Sequence, residues 1–275
     1  MVKKVLHLAD IHIRTYRMHD EYKEIFTKFI DEVKEFCKDY DYEEVRIAIV
    51  GDLVHQKITI SNEQLILSTW FLRELAKVAP VVLVAGNHDL LENNKDRIDS
   101  ISPMIQLLDN PNIKFYKESK CYEDDNIVWC NYSIFEENER PDIEMYRASF
   151  PINPDKEPTL IGLYHAPIAG ATTDIGYEFD DSYTDLSHFE GCDIVMCGDI
   201  HKRQKFEHKG TPIVMPSSLI QQNFGESVDK HGYLIWDVES RTYIEKDIET
   251  RYGFYQFKLN SLEDIDNGTE KLTNG

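Results

Sequence analysis

No two cysteines in this 275-residue chain are spaced as a CxxC pair. The five present (Cys37, Cys121, Cys130, Cys192, Cys197) are odd in number and scattered, which predicts reduced thiols in a cytosolic protein. No apolar run reaches the roughly 18 residues that would span a membrane. The opening Met1-Val2-Lys3-Lys4-Val5 has no long apolar segment behind its lysines, so no signal peptide is expected, and the glycosylation-like triplets at Asn131 and Asn267 mean little. Internal repeats and low-complexity segments are absent. Positive charge is scarce: 30 Lys and Arg stand against 50 Asp and Glu, a net charge of -20. This excludes passive coating of nucleic acid, which needs a basic surface. It leaves room for an enzyme whose metal ions supply local positive charge. The acids cluster in Glu118–Glu144 and Asp174–Glu190 and read as solvated loops and helix faces.

What is present is an alternation of short β-branched runs with amphipathic helices. A 41% hydrophobic content suffices for one large domain, or a domain with a small appendage. Strands are predicted at Val5–Ala9, Val45–Val50 and Val81–Val84. Between and after them, helices are predicted at Asp20–Cys37, at Ser61 to about Ala76, and at Arg97–Leu108, where Pro103 marks a break or a start. Ser61 with Gln64 forms a capping-box pattern. The second helix carries Leu65, Ile66, Leu67, Trp70, Phe71, Leu72 and Leu75 almost all round its axis and should be buried on every side.

From Ile113 on the chain becomes β-rich. Strands are predicted at Ile113–Tyr116, Ile127–Tyr132, Thr159–Tyr164, Ile194–Cys197, Gln204–His208, Ile213–Met215 and Tyr233–Val238, the last in a hairpin with Tyr243–Ile248. Pro141–Phe150 reads as a short helix, 254–259 as a strand and Ser261 as a helix start. The βαβαβα pattern followed by mainly β predicts an α/β fold, a two-sheet sandwich flanked by helices.

Five strand ends carry chemistry: Asp10 and His12; Asp52; Asn87, His88 and Asp89; His165; Asp199 and His201. In such folds ligands collect at the carboxyl ends of strands. Alternation puts Asp10 and His12 on one side of an extended segment, and Gly86 permits a tight turn before Asn87. Seven candidate ligands (Asp10, His12, Asp52, Asn87, His165, Asp199, His201), without thiolate, suit Mn²⁺, Fe²⁺, Mg²⁺ or Zn²⁺. They are too many for one tetrahedral ion and suit two ions that share a bridging carboxylate, clamp a phosphate and activate a water. His88 is left as a non-ligand acid at the leaving oxygen, with Asp89 holding its tautomer. A single His at a strand end is more often just a hydrogen-bonded polar residue, and His7, His19, His188, His208 and His231 fall in that class.

Asp-x-His, Gly-Asp, Gly-Asn-His-Asp, a lone His and Gly-x-x-His in this order resemble the calcineurin-like metallophosphoesterase superfamily, a four-layer α/β/β/α fold. Leu8–His12, Gly51–His55, Gly198–Gln204 and the segment Pro216–Glu226 are similar to the SbcD/Mre-eleven nucleases of DNA double-strand-break repair, over roughly residues 1–250. The resemblance implies Asp10, His12 and His201 at a first metal, Asp52 bridging, and Asn87, His165 and position 199 at a second, with Mn²⁺ foremost. It implies His88 as the catalytic histidine and His55 handling the DNA backbone; Lys202, Arg203 and Lys205 give positive charge for phosphate beside the metals. It further implies DNA as substrate, an SMC-like ATPase of the SbcC/Rad-fifty type as partner, and a homodimer through the helices at 61–76 and 97–108. A compact phage or bacterial cytoplasmic version is expected, with residues 251–275 opening an incomplete or minimal capping unit. The family has His where Asp199 stands. Asp199 can bind the second ion directly, bind through a water, or not bind at all. Two other readings share these motifs: a phosphoesterase acting on small-molecule or protein esters, and a catalytically weakened scaffold.

Overall fold

The β-branched runs become the centres of two sheets. The computed structural model describes residues 1–136, 139–149, 157–255 and 261. Its strands are β1 (Lys4–Leu8), β2 (Val45–Val50), β3 (Val81–Val84), β4 (Ile113–Phe115), β5 (Cys121–Asp124), β6 (Ile127–Tyr132), β7 (Thr159–His165), β8 (Ile194–Gly198), β9 (Gln204–His208), β10 (Thr211–Met215), β11 (Gly232–Asp237) and β12 (Thr242–Asp247). One six-stranded sheet runs β12-β11-β1-β2-β3-β4, the other β5-β6-β7-β8-β10-β9. Strands β1 to β4 are mutually parallel, as are β6, β7 and β8. Their carboxyl ends therefore lie at one end of each sheet.

The expected sandwich is the one observed. Between the sheets lies a core of Val5, Ala48, Val50, Val82, Trp129, Ile161, Met196 and Trp236. Both faces of β2 and β3 are buried, which explains their unbroken apolar sequence. The outer face of the first sheet is covered by α1 (His19–Cys37), α2 (Asn62–Ala76) and α3 (Ile101–Leu108). Helix α1 buries Tyr22, Ile25, Phe26, Phe29, Ile30 and Val33, one stripe at helical spacing. Phe26 stacks on Phe71 of α2 with centroids 4.0 Å apart. The second sheet is covered more thinly, by α4 (Ile143–Ala148), a 3-10 turn at Leu186–Phe189 and their loops.

Several local expectations need correction. Helix α3 begins at Ile101, not 97, because the buried Asp99 carboxylate takes the amides of Ile101 and Ser102 and so starts the helix there. Pro103 then sits in the first turn, where its missing N–H costs nothing. Ser61 Oγ accepts the Gln64 amide, but the Gln64 side chain donates to the Ile13 carbonyl instead of returning to Ser61, so the capping box is half formed. Helix α2 is not buried on every side. It buries Leu67, Phe71, Leu72 and Leu75, while Ile66 is 68% exposed and Trp70 lies under the Lys23 ammonium. Strand β5 went unseen because half of Cys-Tyr-Glu-Asp is acidic; it pairs antiparallel with β6. From 256 on, the strand expected at 254–259 and the helix expected after Ser261 lie outside the described residues. No helix among the described residues is long and apolar enough to cross a membrane.

The Phe26–Phe71 stack joins α1 to α2 at the centre of this layer. Phe71→Ala should destabilise the fold by about 3–5 kcal/mol through lost burial and the cavity left behind. A urea midpoint unchanged by the substitution would show that this stack does not hold the helical layer.

Candidate metal centre

The chemical side chains lie at or just past strand ends, and four of them sit on unusual backbone. Asp10, His12, Asp52 and Asp199 have positive φ (55°, 51°, 55° and 85°), the left-handed region that Asp and His visit more readily than most residues. Asp10 and His12 thus lie beyond β1 in turns, not on one side of an extended strand. The amides of Asp10, His12 and Ile13 donate to the carbonyls of Gly51, Asp52 and Leu53, so the loops after β1 and β2 run side by side. Such conformations persist only when the surroundings over-determine them, and they cluster at functional sites.

Asp89 ties the next loop in. Its buried carboxylate accepts from the amides of Gly86, Leu53 and Val54. Burial and the neighbouring Asp52 push this carboxyl up to about 7, against the pull of the Gly86 and Val54 amides. The expected role of Asp89, holding the tautomer of His88, is corrected: the His88 ring bonds through Nδ1 to the His55 carbonyl at 2.7 Å. Asp89 is spent on backbone, because three amides of two loops converge on it.

At the centre lies the His165 ring, fully buried at the end of β7. Its Nδ1 donates to the Val50 carbonyl at 2.7 Å, across from the other sheet. A Cβ on Gly51 would meet Nδ1 at 2.0 Å, one on Gly198 at 2.6 Å, and one on Gly86 would meet Nε2 at 2.5 Å and Asp52 Oδ1 at 2.2 Å. The expected turn is present, the Asp89 amide donating to the Gly86 carbonyl, but the φ of Gly86 is ordinary, so glycine is required there by close approach. His165 Nε2 then faces Asp52 Oδ2 at 3.4 Å and both Asp10 Oδ1 and Asp199 Oδ1 at 4.0 Å.

Asp52 stands in the middle of the cluster. Its Oδ1 accepts the His88 amide at 2.8 Å, and its Oδ2 faces His12 Nε2 at 3.3 Å as well as His165. Burial raises its pKa, but His165, His12 and His88 together outweigh that and hold the carboxyl well below the usual range. Burial lifts Asp10 to about 6 against the pull of His201 and His165. Burial also raises Asp199. Burial would lower His201, but the Glu226 hydrogen bond to Nδ1 (2.7 Å) and the charge of Asp10 carry it up to about 9. His12 is lowered, chiefly by burial.

The donor set fits divalent metal. Asp10 Oδ2, Asn87 Oδ1 and His165 Nε2 are buried without a hydrogen-bond partner, a costly state for polar atoms that a cation would relieve. His12 Nε2 and His201 Nε2 face each other at 2.9 Å. Ligand atoms of Asp10, His12 and His201 lie within 4.8 Å of one another, as do those of Asp10, Asp52 and His165, and those of His12, His55 and His88. The first two groups share Asp10 and suit hard or borderline divalent ions. Asp199 belongs to neither, yet its carboxylate reaches the rim of the same cluster through His165.

The structure thus brings together Asp10, His12, Asp52, Asn87, His165, Asp199 and His201, with His55 and His88 beside them; the His55 and His88 rings stack at 5.1 Å. It does not bring in the basic residues. Arg203, expected to receive phosphate, is 7% exposed and committed to Glu245, Asp247 and the Pro216 carbonyl. Lys205 projects from β9, which pairs with β10 at the edge of its sheet, and makes no described contact with the cluster. Only Lys202 reaches the rim, bonded to Thr172 Oγ1. Sequence reasoning gave Glu226 no role; the signal available was its place at the end of the segment 216–226. Of the histidines set aside, His7, His19, His208 and His231 are hydrogen-bonded as expected, but His188 lines a cavity with Asn87, His165 and Asp199.

The sequence model of the family described as calcineurin-like phosphoesterase matches residues 3–203. An uncharacterized protein of Acanthamoeba polyphaga mimivirus is 34% identical over 261 residues, covering 94% of this chain and 19% of its own length. The chain thus spans about a fifth of the curated relative it matches. Among solved structures, a dimetal phosphatase from Danio rerio is 12% identical with a TM-score of 0.49, covering 86% of this chain and 93% of that one. A phosphopantetheinyl hydrolase from Mycobacterium tuberculosis is 13% identical with a TM-score of 0.43, covering 78% and 88%.

Two outcomes are expected at this centre. Gly86→Ala should leave the fold standing but push Asp52 and His165 apart. Bound metal, counted by plasma emission after dialysis, should fall to near zero while the circular dichroism spectrum stays native. Metal binding should also strengthen with pH up to about 9. His201, raised to about 9, and His165, raised well above its ordinary value, hold protons at neutral pH that a metal must displace. Calorimetry of Mn²⁺ binding at pH 7 in buffers of different ionisation heat should register proton release; none would mean these imidazoles are not ligands.

Proposed function

The chain belongs to the calcineurin-like phosphoesterase family, and from that premise we propose that it is a metal-dependent nuclease hydrolysing phosphodiester bonds in DNA. The coarser statement stands on the family and the cluster: a hydrolase of phosphoester bonds with residues placed to hold divalent metal. The observation that carries the finer one is the segment 216–226, the part of the sequence most like the SbcD/Mre-eleven nucleases. It is built into the site: Glu226 braces His201, the Gln222 amide bonds Glu226, and the Gln222 carbonyl holds Arg14.

Asp10, His12 and His201 would hold one ion, Asn87, His165 and Asp199 the other, with Asp52 between them. Bound ions would neutralise phosphate charge and acidify an attacking water. The protein's own part is positional. With Nδ1 of His88 keeping its proton on the His55 carbonyl, Nε2 is the atom that would give a proton to the leaving oxygen, from the imidazolium form, leaving the neutral ring. The His55 ring, stacked on His88 and 3.3 Å from His12 at Nδ1, keeps His88 facing the cluster.

We further propose an SMC-like ATPase of the SbcC/Rad-fifty type as partner, and a two-fold pairing across α2 and α3. Exposed Ile66 (68%), Ile98 (62%) and Leu107 (68%) support that pairing. A second reading, hydrolysis of a small ester, is favoured by the net charge of -20 and by Glu92 and Glu139 in the lining of the cavity beside Asn87 and His165.

The deciding experiment is incubation with labelled DNA and with p-nitrophenyl phosphate, each with Mn²⁺ and with chelator. Metal-dependent cleavage of DNA is expected; hydrolysis of the small ester alone would favour the second reading. His88→Ala should keep its metals and lose turnover by about 10²–10⁴-fold, whereas Asp52→Ala should lose the metals. If Asp199→His raises DNA cleavage by orders of magnitude, the Asp199 site is a weakened one.

A further inference from the structure

Two cavities open onto the ligand cluster at different residues. One, of about 360 Å³, reaches it at His201 and is lined by Ile175, Phe179 and Lys202. The other, of about 310 Å³, reaches it at Asn87 and His165 and is lined by Tyr132, Tyr164 and His188. They share only Pro167 and Asp199. A phosphorus held over the cluster would thus face two separate openings. A monoester has one substituent and could fill one opening; a diester has two and could fill both.

The second cavity is an aromatic slot. The His188 centroid lies 5.0 Å from that of Tyr132 and 6.0 Å from that of Tyr164, and the two tyrosine rings stand edge to face at 6.2 Å. Tyr164 is pinned by its hydroxyl, 2.6 Å from Thr184 Oγ1. Three neighbouring rings, one of them pinned, offer faces and edges to a flat π-system, the contact that binds nucleobases without demanding a particular one. Glu139 and Glu92, the latter also paired with Lys57, line the same cavity, and their carboxylates can accept from ring amino and imino groups. A phosphate or a simple alkyl arm would have no use for this combination.

We propose that these cavities are the two arms of a phosphodiester site, and that the slot formed by Tyr132, Tyr164 and His188 takes a nucleobase. His188 is a specificity residue, not a catalytic one. The inference rests on the phosphoesterase reading of the cluster, but not on DNA rather than a smaller nucleotide diester being the substrate.

The test uses the full chain loaded with Mn²⁺ and three esters that all release p-nitrophenolate: thymidine 5′-(p-nitrophenyl phosphate), methyl p-nitrophenyl phosphate and p-nitrophenyl phosphate. The thymidine ester should exceed the methyl ester about tenfold in kcat/KM, mostly through KM. His188→Ala should erase that ratio while leaving the methyl ester and the metal content unchanged. His188→Phe, which keeps a ring, should restore it. Equal rates on the two diesters, or a loss on both alike in His188→Ala, would overturn the nucleobase slot. Hydrolysis of the monoester alone would overturn the two-arm site and leave the phosphoesterase reading standing. Failure on all three would sink that reading and the inference with it.

Discussion

The arrangement depends on the room made for one imidazole. His165 rises from the second sheet, bonds across to the Val50 carbonyl of the first, and fills a well whose walls are Gly51, Gly86 and Gly198. A side chain at any of the three would overlap the ring or the Asp52 carboxylate. This steric condition fixes the relative placement of three loops drawn from both sheets. It also orients the ring. Because Nδ1 is committed to Val50, Nε2 must face the carboxylates of Asp10, Asp52 and Asp199. The tautomer is set by the bond on the far side of the ring.

Around that ring the protein gathers buried carboxylates, although it already carries a large negative charge. Isolated buried charges of one sign are costly. Here the cost is offset in two ways. Asp89 is taken up by the amides of three residues and Asp10 Oδ1 by the Asp199 amide, while Asp52 is held between imidazoles. Among the buried polar atoms left without a partner in the described residues are three on the candidate ligands themselves, Asp10 Oδ2, Asn87 Oδ1 and His165 Nε2. A cluster of carboxylates and imidazoles with such leftover valence is arranged for cations.

Few of the chain's own cations are free at the cluster: Lys202 reaches its rim, Lys57 pairs with Glu92 of the second cavity, and Arg203 pairs with Glu245 and Asp247. With a net charge of -20 the surface offers little to attract a polyanion. In the proposed reading most of the positive charge that receives a phosphate would come from the centre, and shape and aromatic contact in the two cavities would recognise the rest of the substrate.

The strands, most helices and the order of the site residues were legible in the sequence because each rests on local rules. Val45–Val50 and Val81–Val84 read as buried strands from their branched side chains alone. Asp10, Asp52, Asn87, His165 and Asp199 were found because each follows such a run, where an α/β fold places its chemistry. What a residue's neighbours would be was not legible. Asp89 next to His88 looked like its partner, but the amides of another loop claimed it. Arg203 beside His201 looked like a phosphate ligand, but β12, arriving some 40 residues later, neutralised it. Gly86 does open the expected turn, but what requires glycine there is the room for a ring 79 residues away. His188 looked ordinary until the fold set it beside Tyr132, Tyr164 and Asn87. Sequence patterns report a residue's conformation and depth, which depend on a few neighbours along the chain. Which charge is satisfied, and by what, depends on groups that only the closing of two sheets onto each other brings within hydrogen-bonding distance.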